Sequence, residues 1–164
     1  MTTERLARLL AANAGFQSTF DRSHLKAPPR EHLAVLTCMD CRIVVEDLFG
    51  LGVGDVAVVR NAGAVASDDA IRSLLVTRHV LGTDEIVVMA HTSCGLLGLD
   101  DTGLQDRLTK EFGQTSETTF GTFVDLDAHV RQQVERIRAH PWFGDAPVHG
   151  LVYDVATGEA RPVA

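Results

Sequence analysis

Apolar and polar positions alternate in two rhythms along this chain: short unbroken apolar runs, and longer stretches with an apolar residue every third or fourth position. The run EHLAVLTC, residues 31–38, follows Pro28 and Pro29 and predicts a buried strand entered from a loop. RIVVEDLFG comes next, with Val44, Val45, Leu48 and Phe49 at helical intervals and Gly50 suited to a left-handed helix end. DVAVVRNAG predicts a second strand. SDDAIRSLLVTRHVLG predicts a helix with Ser67 as N-cap, two aspartates at the positive end of its dipole, and a stripe of Ile71, Leu74, Leu75 and Leu81. DEIVVMAH is a third strand that carries His91 at its end, and PVHGLVYDV a fourth. Between them, Phe123, Leu126, Val130, Val134 and Ile137 predict a helix over residues 122–139. ATGEARPV reads as a turn and a short trailing strand. The stretch 99–119 is polar around Leu104, Leu108 and Phe112 and gives the weakest pattern. Strands alternating with helices imply a mainly parallel α/β sheet, because parallel strands need crossovers and these are nearly always right-handed.

The N-terminal MTTERLARLLAANAGF alternates charge and leucine at helical spacing, which predicts an amphipathic helix over about residues 2–15 rather than a targeting segment. No apolar run approaches membrane-spanning length, so a cytoplasmic protein with no membrane partner is expected. A length of 164 residues, with no repeat or low-complexity linker, is read as one domain over residues 1–164. A formal charge of −7 offers no basic footprint for phosphates, which argues against nucleic acid as a partner. Three cysteines are an odd number and point to thiols or metal ligands rather than a disulfide framework.

The candidate chemistry lies at strand ends. Cys38 closes the first predicted strand, and His91 with Cys94 closes the third; in open α/β sheets ligands bind at the C-terminal ends of strands. If those strands are neighbours, the three side chains converge. Two thiolates and an imidazole suit zinc and leave one coordination position for water or substrate, the pattern of catalytic rather than structural sites. Asp40 can then occupy that fourth position or turn away to pair with Arg42, whose planar fork grips a carboxylate.

CMDCR, VVRNAG and HTSCG, in this order, resemble the β-class carbonic anhydrases, particularly their short bacterial members, over roughly residues 31–158. The resemblance implies a zinc bound by Cys38, His91 and Cys94, with Asp40 as a displaceable fourth ligand held off the metal by Arg42. It also implies reversible hydration of CO2 to bicarbonate. Asn61, Ala62, Gly63 and Gly95 are expected to shape the substrate pocket. The implied fold is a four-stranded parallel sheet ordered 2-1-3-4 with an antiparallel edge strand and flanking helices. The implied assembly is a homodimer or dimer of dimers, with the N-terminal helix lying on the partner. Two positions depart from the pattern: Cys41 stands where many members have Ser or Ala, and Leu96 where many have a second Gly.

Other readings of the same residues are a carbonyl sulfide or carbon disulfide hydrolase on the same metal site, a dithiol of Cys38 and Cys41 placed between strand and helix, and a closed structural cage of Cys38, Cys41, His91 and Cys94. Asp40 is also a candidate helix cap. Arg60 and Asn61 also read as a strand-end turn; both are expected to shape the pocket, with no chemistry assigned to them. His79 and His129 fall on helices as surface or packing residues, and an exposed histidine is a candidate carrier of the released proton.

Overall fold

The computed structural model describes residues 3–164. Strands β1 (Leu33–Cys38), β2 (Val56–Asn61), β3 (Glu85–His91), β4 (Val148–Tyr153) and β5 (Ala160–Pro162) form one sheet in the order β2-β1-β3-β4-β5. The first four run parallel and β5 pairs antiparallel with β4. This is the anticipated 2-1-3-4 arrangement with its antiparallel edge, and it makes β1 and β3 neighbours. Thr37 pairs with Met89 and Cys38 with Asn61, so the C-terminal ends of β1, β2 and β3 lie side by side.

Helices α1 (Glu4–Gln17), α2 (Val45–Phe49), α3 (Asp68–His79), α4 (Asp101–Phe112) and α5 (Leu126–Arg138) complete the chain. The Ser67 hydroxyl accepts from the Ala70 amide to start α3, with Asp68 and Asp69 in the first turn and Arg78 and His79 in the last, in keeping with the helix dipole. Gly50 ends α2 in the left-handed conformation, as expected. Several boundaries differ from the sequence reading; α3, for one, ends at His79, short of Leu81 in the expected stripe. α2 begins at Val45 rather than Arg42, because residues 38–44 are held in a turn by the side chains described below. α5 begins at Leu126, where the Asp125 carboxylate caps Ala128; Phe123 is instead drawn into a bridge with Leu97. The weakly patterned stretch contains α4, started by the Asp100 carboxylate and ended at Gly113. α1 is capped by Thr3 and runs two residues past the expected end; the expected start near residue 2 lies outside the described residues.

α3 and α5 cover one face of the sheet. Ala34, Leu36, Ile86, Val88 and Ala90 pack there against Leu74, Val130, Val134 and Ile137. The other face is smaller, with Val35 and Met89 against Ile43, Val45, Cys38 and Cys94. Every residue of α1 is exposed, Leu6, Leu9 and Leu10 included.

Candidate metal centre

Parallel pairing of β1 with β3 brings Cys38 to His91, and a sharp turn brings Cys94 back to both. Ser93 makes that turn in the left-handed region, φ 56°, a strained choice for a residue with a Cβ. The donor atoms of Cys38, His91 and Cys94 all lie within 4.8 Å of one another. All three residues are buried, at 5%, 1% and 7% exposure.

His91 Nδ1 donates to the Thr92 carbonyl at 2.8 Å, which fixes the tautomer and leaves a lone pair on Nε2. That Nε2 is buried and has no hydrogen-bond partner. An orphaned buried acceptor is costly, and its neighbours here are two thiols. Burial pushes the Cys94 thiol up, and the adjacent Cys38 sulfur adds to the effect, so two thiolates side by side require a cation between them. The donor set therefore fits a soft or borderline metal ion.

Asp40 and Arg42 form the anticipated pair. Arg42 Nε donates to Asp40 Oδ1 at 2.9 Å and Nη2 to Oδ2 at 2.7 Å, while the Arg42 amide also donates to Oδ1 at 2.9 Å. These Arg42 hydrogen bonds hold the Asp40 carboxyl well below the usual carboxylate range. Asp40 Oδ2 stands 3.8 Å from His91 Nε2. Arg42 Nη2 reaches on to the Ser93 carbonyl at 3.2 Å, strapping the β3 turn to the β1 turn. Asp40 does not cap α2: the N-cap is Val44, which makes no side-chain cap.

Arg60 does more than shape a turn. Its guanidinium donates to the carbonyls of Cys38 at 3.0 Å, Ile43 at 3.1 Å and Asp40 at 2.6 Å, gripping the loop that carries the ligand and the carboxylate. Asn61 clasps Val65 through both amide groups, and Gly63, at φ +78°, donates its N–H to Cys38 Sγ at 3.4 Å. Gly95 is exposed, with open space beside its Cα. A groove of about 550 Å³ touches Asn61 and Ala62, but it leads toward Ser67, Asp69 and Arg136 and is lined by none of the three metal donors. Cys41 is exposed and lies outside the donor group, which speaks against the four-ligand cage. His79 is exposed and pairs with the Trp142 carbonyl, whereas His129 is buried.

Residues 33–160 match the carbonic anhydrase family model. The chain is 37% identical over 155 residues to β-carbonic anhydrase 1 of Mycobacterium tuberculosis, covering 94% of each protein. This chain belongs to the β-carbonic anhydrase family. The solved carbonic anhydrase of Streptococcus mutans superposes with a TM-score of 0.93 at 32% identity, over 100% of both chains. A carbon disulfide hydrolase of Acidithiobacillus thiooxidans is 35% identical, covering 86% of this chain and 81% of that protein. Members of the β-carbonic anhydrase family are metalloenzymes, in keeping with the Cys-His-Cys group.

Proposed function

We propose that this chain is a zinc-dependent carbonic anhydrase that interconverts CO2 and bicarbonate. The observation that carries the reading is the buried, unpartnered His91 Nε2 beside two buried thiols, with an ionised carboxylate 3.8 Å away. Cys38, His91 and Cys94 would hold the zinc and leave one position for water or substrate. Bound there, zinc supplies the Lewis acidity that activates water near neutral pH.

The chain's own residues govern that water. Asp40, kept ionised by Arg42, accepts its hydrogen bond and orients it toward CO2. Arg42 holds the Asp40 carboxylate through two hydrogen bonds, and Asp40 would be able to reach a bound metal as a fourth ligand only if that pair opened. Asn61, Ala62, Gly63 and Gly95 shape the wall against which the substrate rests. Each turnover of hydration releases one proton, CO2 + H2O giving HCO3− + H+.

We place the protein in the cytoplasm as a homodimer or a dimer of dimers. Two observations support this: no helix among the described residues is long and apolar enough to cross a membrane, and the leucines of α1 have no cover within the chain. The kinship to a carbon disulfide hydrolase supports a second reading, hydrolysis of carbon disulfide at the same site. Stopped-flow CO2 hydration with a pH indicator, beside a sulfide-release assay on carbon disulfide, separates them. Zinc-dependent proton release from CO2 is expected. Sulfide release without CO2 hydration would reverse the assignment.

A further inference from the structure

Two polar side chains are buried within the apolar stripe of α5, and neither is among the metal donors. His129 is 6% exposed and Gln133 5%. The His129 ring lies flat against Phe123, with centroids 3.9 Å apart and planes 13° apart, and its Nε2 donates to the Gly63 carbonyl at 2.8 Å. Gln133 Oε1 accepts from the Ala66 amide at 3.0 Å, and Gln133 Nε2 reaches His129 Nδ1 at 3.5 Å. That amide donates to Nδ1, which leaves the ring proton on Nε2, where the Gly63 carbonyl accepts it.

On the other side of the same Cα, the Gly63 N–H points at Cys38 Sγ. Gly63 is left-handed and tightly enclosed: an added Cβ would meet Leu96 at 2.9 Å and Phe123 at 3.4 Å. The backbone donor to a metal-ligating sulfur is thus aimed by a residue whose carbonyl is pinned from α5. A hydrogen bond to a thiolate holds the sulfur in place for a metal, which favours binding, and withdraws charge from it, so a bound cation keeps more of its own positive charge.

We propose that His129, tethered by Gln133, is a positioning residue that aims the Gly63 amide at the Cys38 thiolate and thereby sets metal affinity and Lewis acidity at this site. The inference rests on the metal reading above, though not on the identity of the substrate.

The test compares His129→Phe, which keeps the stacked ring and loses the donor, with His129→Gln, which returns an N–H toward Gly63. Zinc affinity is read by chelator competition, and the thiolate-to-cobalt charge-transfer band is read on cobalt-loaded protein. His129→Phe is expected to weaken zinc binding by roughly tenfold or more and to displace the band, as outer-shell losses do. His129→Gln is expected to restore most of both. A folded His129→Phe with unchanged affinity and band overturns the proposal, as does a loss that His129→Gln fails to recover, since that would mark packing alone. If His129→Phe does not fold, Gln133→Met decides: a smaller change in the same direction supports the proposal, and no change overturns it. Wild-type protein that shows the cobalt band but hydrates no CO2 refutes the carbonic anhydrase assignment and leaves this inference intact. Wild-type protein with no band refutes both.

Discussion

The two faces of the sheet are built for different work. On one, Leu36, Ile86 and Val88 are sealed beneath α3 and α5, with Leu74, Val134 and Ile137 fully buried against them. On the other, a small buried group around Val35, Met89 and the two thiols is ringed by half-buried Leu33, Val56, Val58, Val87 and Leu151. Apolar burial stabilises in proportion to the area removed from water, so the first face contributes most of the folding energy. The second can then carry features that cost stability, an unpartnered imidazole nitrogen and a strained turn, beside two thiols. His129 and Gln133 are the exception, polar groups on the closed side that reach across to the open one.

Substitutions can break this division of labour, beginning with the largest effect. Cys94→Ala removes a donor from the open face and should abolish most zinc binding and CO2 hydration, a loss beyond the ~10–100-fold typical of outer-shell partners. Metal analysis and stopped-flow kinetics check it, and a variant that keeps both zinc and rate would sink the assignment. Leu74→Ala on the closed face should cost about 2–5 kcal/mol in denaturant unfolding while leaving zinc affinity near wild type. Leu33→Ala, at the half-buried rim, should cost clearly less, and equal losses would erase the contrast between the faces. Asp40→Ala should lower the hydration rate by about 10²-fold with zinc retained; unchanged turnover would reduce Asp40 to a loop-shaping residue.

The smallest effect concerns pH. Burial pushes His129 below its usual value of 6.5, so as pH falls past 6.5 the unfolded chain takes up this proton before the folded one does. The stability present above that pH is therefore lost on acidification. Urea unfolding of metal-free protein at pH 7.5 and 5.5 should show a larger drop for wild type than for His129→Phe. An equal drop in both would mean that His129 titrates normally.

The parts of this architecture that were legible in the sequence share one property: their signal is local. Strand runs ending in Cys38 and His91 placed the donors at strand ends, and the short spacing to Cys94 tied it to His91. Asp40 and Arg42, two residues apart, could be read as a pair. Helical spacing from Val44 onward places the start of α2 too early, because the turn before it is fixed by Arg60, which is remote in sequence and grips three of its carbonyls. His129 shows the same limit. Its helical position reads as surface or packing, and only the folded chain brings α5 to Gly63, 66 residues away. Arg60 did have one weak signal, a charged residue near the end of an otherwise apolar strand, where it needs partners.

The central claim is that Cys38, His91 and Cys94 form an open metal site rather than a closed cage. X-ray absorption at the zinc edge of the loaded protein tests it most directly. The account predicts two sulfur scatterers at about 2.3 Å and two lighter ones at about 2.0–2.2 Å, one from His91 and one from water or Asp40. Three sulfurs and one nitrogen would instead place Cys41 on the metal and contradict it.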